Sequence, residues 1–181
     1  MNVDKTIAMK RIDNYDLAVN SFYEDRKTVG MPLLSWDIYS LFLSKLNRTS
    51  EDLTSLRLLA KNNKWETTWD FKQQLVEKDL VIVVTDIHLN IEYSSQNIYK
   101  MNGYKSLEVI GNKPNMFQGG DTCKKTTKKI RKAIKNNLPF EATVLNYRKD
   151  GSTYNCWIQG HPVYNKKGDV VNFIAFEKLV A

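Results

Sequence analysis

Cysteine and histidine are scarce in this sequence, with two of each among its 181 residues. Cys123 and Cys156 form no C-x-x-C pair and no histidine cluster accompanies them, so no metal site is expected. Two cysteines do not make a disulfide framework either. His88 falls in a predicted turn and His161 late in a predicted strand. Both are interpreted as ordinary core or surface histidines.

Long apolar runs are also missing. No run approaches the ~18 residues that a membrane-spanning helix needs, and residues 1–16 contain no apolar core of signal-peptide length. No phosphate-binding glycine loop, H-E-x-x-H or G-x-S-x-G motif occurs. The sequence therefore favours a soluble, cytoplasmic protein that has no contact with a membrane and is not an enzyme.

Composition and charge are those of a globular protein with one basic part. Hydrophobic residues make up 42% and charged residues 26% of the chain, which is enough apolar material for a packed core. Residues 1–79 balance 12 basic against 12 acidic residues, whereas residues 80–181 have 15 against 8, so the net charge of +7 lies in the second half. Such asymmetry favours acidic partners.

The first half, residues 1–79, has the patterns of a helical extension. A wide apolar stripe at helical spacing indicates burial on more than one side. The tetrapeptide Thr49–Asp52 has the form of a capping box and predicts a helix start there. A last helix is expected over Glu66–Asp79. The side chains expected to form a dimer or to cap a sheet are Leu34, Ile38, Leu41, Phe42 and Trp69.

From residue 80 the pattern changes to short segments rich in β-branched residues, which predict strands. Two strands, several short helices, one helix of about three turns and three further strands are expected. Asp121 or Thr122 is a candidate N-cap of that helix. The predicted strands are Leu80–Thr85, Ile91–Tyr93, Phe140–Tyr147, Tyr154–Val163 and Val170–Leu179, and the predicted helix is Lys124–Asn136.

This order predicts an α+β fold for residues 80–181, with a five-stranded antiparallel sheet. Several segments resemble motifs of the PAS domain superfamily and follow one another in the order that the superfamily has. From the first motif to the last, the resemblance covers about 100 residues. It implies a sensory or regulatory domain. The segments are Thr85-Asp86, Ile91–Asn97, Asn102–Gly111, Asn146–Gly151 and Pro162–Ala175.

Within the superfamily, the segment Gly111–Gly119 is similar to the signature G-x-N-C-R-F-L-Q-G of the LOV subgroup, which binds flavin and senses blue light. Pro114 stands where that signature has the cysteine of the photoadduct. Asn115 stands where it has the arginine that meets the flavin phosphate, and a neutral amide cannot replace that charge-assisted clamp. The resemblance therefore implies a LOV-like scaffold that forms no photoadduct.

The resemblance also implies which residues could line a ligand pocket. Asn146 keeps the flavin-contacting amide, but Cys156 replaces an expected asparagine and Glu177 an expected glutamine. No cofactor is expected on this basis, and flavin stays an alternative. Gln118 and Asn146 are instead expected to bond the backbone of a closed core, since buried amides usually find protein partners. The full candidate pocket is Phe117, Gln118, Asn146, Cys156 and Glu177.

The predicted long helix carries seven cations with no acid between them. They cover most of its outer surface at 3.6 residues per turn. A solvated surface is the favoured interpretation, and a patch for nucleic acid or another acidic partner is the alternative. The cations are Lys124, Lys125, Lys128, Lys129, Arg131, Lys132 and Lys135.

Taken together, these patterns predict a sensory or regulatory protein that acts in signal transduction by protein–protein interaction, with its output in trans. A receptor for flavin or another small molecule is the first alternative, and a basic adaptor that contacts nucleic acid is the second. The apolar stripe of the extension predicts a homodimer, and an output in trans implies an unknown signalling partner.

Overall fold

The computed structural model describes residues 35–66 and 69–180, and of residues 35–39, 41, 42 and 45 it describes the backbone alone. The chain divides into two units, Met1–Phe42 and Leu43–Ala181. Of the first unit, only residues 35–42 are described, and they are helical. The expected role of Leu34 and of the side chains of Ile38, Leu41 and Phe42 lies outside the described residues.

A five-stranded antiparallel sheet forms the centre of the second unit, with strand order β2-β1-β5-β4-β3. The expected α+β fold is confirmed, and β3, β4 and β5 form a meander. Within the described ranges, no helix is both long and apolar enough to cross a membrane. The elements are α1 (Ser35–Asn62), a π-helical turn (Gln73–Glu77), β1 (Val81–Thr85), β2 (Ile91–Ser94), α2 (Ile98–Asn102), α3 (Ser106–Val109), a 3₁₀ turn (Pro114–Phe117), α4 (Lys124–Lys135), β3 (Phe140–Tyr147), β4 (Thr153–Tyr164) and β5 (Val170–Val180).

Strand β1 is buried on both faces, which explains its unbroken apolar run. Successive side chains of a strand point to opposite faces of the sheet. Val81 and Val83 accordingly belong to the inner core, with the short helices. Ile82 and Val84 belong to the outer core, with the extension. The sheet therefore separates two apolar clusters.

The extension differs from its prediction in two places. Helix α1 continues through Thr49–Asp52 to Asn62, so the capping box predicted there is wrong. Asp52 instead accepts a hydrogen bond from the Tyr93 hydroxyl at 2.8 Å and another from the backbone N–H of Gln96 at 3.1 Å. Its carboxylate joins the helix to the sheet, and this tertiary role could not be distinguished from capping in the local pattern.

The predicted helix Glu66–Asp79 is also shorter than expected, because among its described residues only 71–77 are helical. Before it, Trp65 makes an isolated bridge with Asn165 beside the sheet. The predicted caps of α4 are wrong as well, since that helix begins at Lys124 after Cys123. The Thr122 hydroxyl donates instead to the carbonyl of Leu145 at 2.7 Å.

The turn between β3 and β4 allows a first prediction. Gly151 has φ +86°, in the left-handed region, and a Cβ there would meet nothing within 4 Å. Gly151→Ala should therefore lower the free energy of unfolding by about 1 kcal/mol through backbone strain alone. Urea unfolding measures the change. Gly120→Ala is the matched control, because Gly120 is equally open and has no left-handed φ. Equal effects of the two substitutions would refute the strain argument.

Candidate functional site

A cavity of about 280 Å³ lies on the inner face of the sheet, under α4 and the 3₁₀ turn. Its walls are mainly apolar, which is typical of small-molecule sites. The strands, the 3₁₀ turn and α4 all contribute side chains, so residues distant in sequence converge on it. The apolar lining includes Val83, Phe117, Ile130, Ile134, Phe140, Val144, Ile158 and Ala175.

Four of the five predicted pocket residues line this cavity: Phe117, Gln118, Asn146 and Glu177. Asn146 and Glu177 are buried, and Gln118 is half-buried. Cys156 is buried in the inner core, and its Sγ lies 3.6 Å from Oε2 of Glu177. The candidate set inferred from the sequence is thus one continuous group around one cavity.

Glu177 is the buried acid of this group. Burial raises the pKa of its carboxyl group to about 7, and the hydrogen bond from the Cys156 thiol opposes that rise. Burial, followed by the neighbouring Glu177 charge, strongly raises the pKa of the Cys156 thiol. The thiol therefore stays protonated and is a poor nucleophile.

Pro114 and Asn115, which stand where the LOV signature has its cysteine and arginine, also belong to the cavity wall. Pro114 begins the 3₁₀ turn, as its fixed φ and missing N–H favour. Asn115 follows it and is exposed. Lys113 and Arg131 contribute the cationic groups of the lining.

Three further residues shape the site and were not predicted from the sequence. Thr85 lines the cavity, and its buried hydroxyl has no hydrogen-bond partner among the described residues. Gly160 and Phe140 lie against each other, and a Cβ on Gly160 would overlap the Phe140 ring. The alternation of side chains along β1 could have placed Thr85 on the same face as Val83. The pairing of Gly160 with Phe140 joins two strands, and no local sequence pattern indicates it.

Helix α4 covers the cavity, and of its seven cations Arg131 also belongs to the cavity lining. Thr127, Ile130 and Ile134 line the cavity. All seven predicted cations are exposed. In the described part of the chain, the only ion pair joins Lys149 to Glu108, so none of the seven pairs with an acid there. Nor do the described residues include a group of His, Cys, Asp or Glu side chains that could hold a metal.

The extension packs on the opposite, outer face of the sheet. Leu56, Trp65, Phe71 and Leu75 are buried in one cluster with apolar side chains of β1, β4 and β5. Trp69, predicted to cap a sheet or to form a dimer, packs half-buried on that cluster. Its ring centroid lies 6.3 Å from that of Phe176.

A buried amide joins the extension to the sheet. Asn172 on β5 is fully buried, and its Oδ1 accepts hydrogen bonds from Trp65 Nε1 and Asn63 Nδ2, both at 2.8 Å. Its Nδ2 donates to the carbonyl of Thr85 at 3.0 Å and to Glu92 at 2.7 Å. Asn172 thus connects the extension to the residue whose side chain lines the cavity.

Comparison with known proteins agrees with this geometry. A family model described as a PAS domain matches residues 79–178. Protein TWIN LOV 1 of Arabidopsis thaliana is 36% identical over 117 residues, which are 61% of this chain and 29% of that protein. Phototropin-2 of Oryza sativa subsp. japonica is 36% identical over 87 residues, which are 48% of this chain and 10% of that protein. The chain thus spans less than a third of the length of these relatives.

A solved structure described as "Flavin Analogue Sheds Light on Light-Oxygen-Voltage Domain Mechanism" is also similar. It has a TM-score of 0.58 at 28% identity, and the match covers 62% of this chain and 86% of that one.

Proposed function

The chain belongs to the PAS domain family, in its LOV-like part, and we propose that it is a sensory module whose receptor site is the central cavity. The position of that cavity carries the proposal. Glu177 of β5 lies toward the cavity, whereas its neighbour Phe176 packs against the extension. A molecule in the cavity would therefore act on a strand that also holds the extension.

We propose that the signal leaves through the extension. An occupant that favours one packing of the extension on the sheet shifts the population toward it, and this changes the association with a second protein. The output is then in trans and involves no catalytic step. A cytoplasmic location remains a prediction from the sequence.

Native mass spectrometry of the purified chain tests the receptor role. We expect a small molecule at about one per chain, as a single cavity of this kind implies. Removing it by unfolding and refolding should increase hydrogen exchange in residues 52–75. A chain that carries no molecule, and whose exchange does not respond to refolding, would contradict the receptor role.

Flavin is the other candidate occupant, because the similar solved structure concerns a flavin-binding domain type and because Gln118 and Asn146 line the cavity. The remaining polar groups do not fit it well. An ionised Glu177 would be buried against a neutral ring edge, which is unfavourable. Asn115 supplies no charge for a phosphate, so only the exposed Lys113 and Arg131 of the lining could meet one. The volume of about 280 Å³ also lies at the low end of small-molecule sites. We therefore propose an occupant other than flavin.

The absence of a cysteinyl photoadduct is a second prediction. Pro114 has no thiol, Cys123 is exposed at the start of α4, and the raised pKa of Cys156 disfavours its thiolate. Blue light on the protein mixed with flavin mononucleotide should cause no reversible loss of absorbance in the flavin band. Pro114→Cys is the matched variant that restores the thiol. A reversible light cycle in the unmodified chain would contradict this prediction.

Contact with nucleic acid is a separate and weaker candidate, favoured by the seven exposed cations of α4. No aromatic residues interleave with them, which disfavours a single-strand site. Binding to duplex DNA that weakens steeply with added salt would support it.

A homodimer built by residues 30–80 is a third prediction. Leu43 and Leu46 on α1 are 42% and 48% exposed, and their spacing of three places them on one side of the helix. Leu43→Asp together with Leu46→Asp should produce a monomer without loss of the fold, because a charge is not buried at a dimer contact without a partner. Sedimentation velocity measures this. Leu107→Asp, at an 82% exposed leucine of α3, is the control that should stay dimeric. An unmodified chain that is monomeric at high micromolar concentration would refute the dimer.

A further inference from the structure

The cavity contains an acid that the protein itself does not neutralise. The Glu177 side chain is 6% exposed, and its Cα lies opposite those of Val81 and Ile158 in the sheet register. Among the described residues, no Lys, Arg or His nitrogen lies within ion-pair distance of its carboxylate. Its hydrogen-bond partner is the weak Cys156 thiol at 3.6 Å. A buried charge usually has a partner, so the missing cation is the unusual feature.

A second polar group in the same cavity also lacks a partner. The Thr85 hydroxyl is buried, lines the cavity and forms no hydrogen bond among the described residues. Buried hydroxyl groups in native proteins nearly always have a partner. An acid without a cation and a hydroxyl without a hydrogen-bond partner, both at one largely apolar cavity, indicate a ligand with an apolar body and a hydrogen-bonding end.

We propose that the cavity binds a small, largely apolar cation whose protonated nitrogen donates hydrogen bonds to the Glu177 carboxylate. This inference rests on the receptor role proposed above. A charge-assisted hydrogen bond is about twice as strong as one between neutral groups. A cation should therefore bind this carboxylate more tightly than a neutral amide does. In the weakly polar cavity the attraction is also screened less than it would be in water.

The charged groups around Glu177 do not change this choice. On β4 it is faced by Cys156 and Tyr154, whose pKa values are raised chiefly by burial, so both stay uncharged. Lys113 and Arg131 also line the cavity, but both are exposed. Their repulsion of a cation is therefore weakened by water and salt, whereas the carboxylate is buried.

Binding of such a cation releases a proton from each chain whose Glu177 is protonated. Burial places the pKa of Glu177 at about 7, so near neutral pH part of the population carries a proton on this carboxyl group. Only the carboxylate pairs with the cation, and the displaced proton passes to solvent. The affinity then follows the ionised fraction, which rises with pH and levels off above the pKa of the carboxyl group.

Benzamidine and benzamide are the probes, because they have the same ring and differ in charge at the amidine or amide end. NMR titration of the full chain should show benzamidine binding at least about tenfold more tightly than benzamide at pH 8, as a charge-assisted pair requires. Its affinity should fall about tenfold on going to about pH 6, as the ionised fraction falls. Glu177→Gln should remove both the preference for the cation and the pH dependence.

The outcomes separate this inference from the receptor role. If the chain binds benzamide as well as benzamidine, or if the preference persists in Glu177→Gln, the cation class is wrong while the cavity remains a receptor site. If neither probe binds and native mass spectrometry finds no retained molecule, both proposals fail. A melting curve for the variant shows that it is folded.

Discussion

Replacing Asn172 by leucine should lower the free energy of unfolding by about 3 kcal/mol or more, since each buried polar group left without a partner costs about 1–3 kcal/mol. The substitution removes the acceptor of the buried Trp65 indole N–H and the donor to the carbonyl of Thr85. Leucine has a similar volume, so little of the loss comes from a cavity. Urea unfolding of both chains, followed by far-UV circular dichroism, measures it.

The matched control is Asn165→Leu, seven residues earlier on the turn between β4 and β5. The Asn165 side chain accepts hydrogen bonds from the backbone N–H groups of Lys167 and Asp169, but this turn is near water, which replaces the lost partner. The Asn165→Leu substitution should therefore lower the free energy of unfolding by about 1 kcal/mol or less. Equal losses at the two positions would show that the buried amide is not what holds the extension on the sheet.

The succession of strands and helices along the chain after residue 80 could be predicted because each element has its own local pattern. The run Leu80–Thr85 shows an unbroken β-branched pattern, and Lys149–Ser152 has turn chemistry that the left-handed Gly151 confirms. The extension was harder, because Thr49–Asp52 has the same local pattern whether it caps a helix or continues one. Only the contact of Asp52 with Tyr93, 41 residues away, decides between them.

The site was predicted in part for a related reason. Phe117, Gln118, Asn146 and Glu177 were found through motifs whose spacing is preserved along the chain. Thr85 and Asn172 were missed because their importance comes from a pairing over 87 residues. An asparagine in a strand has no local pattern that distinguishes an exposed amide from a buried link between layers.

Thr85 and Asn172 suggest how the cavity and the extension are connected. Thr85 presents its hydroxyl to the cavity and its carbonyl to Asn172, which also binds Trp65 of the extension. A ligand that moves the end of β1 would therefore disturb a hydrogen bond shared with the extension. Such a buried, fully bonded amide has one favoured arrangement, so small shifts are costly and can be transmitted.

Glu177→Gln should raise the stability of the protein at pH 8 by on the order of 3 kcal/mol, since each unit of pKa shift corresponds to about 1.4 kcal/mol. The pKa of this carboxyl group rises from 4.5 to about 7 on folding. A raised pKa means that the folded state binds the proton more tightly. The favourable contribution is therefore fully present below about pH 4.5 and is lost as the pH rises through about 7. Glutamine carries no charge and avoids that loss.

The measurement is the melting temperature of both chains between pH 4.5 and pH 8. The two curves should nearly coincide at the acid end and separate progressively toward pH 8, with the variant above. Asp52, whose pKa burial also raises, affects both chains equally and cancels in the difference. Glu108→Gln is the control of opposite sign, because the hydrogen bond from Lys149 lowers the pKa of that exposed carboxyl group. A constant gap across this pH range would mean that Glu177 is not the buried acid described above, whereas a widening gap would show that its charge destabilises the folded protein.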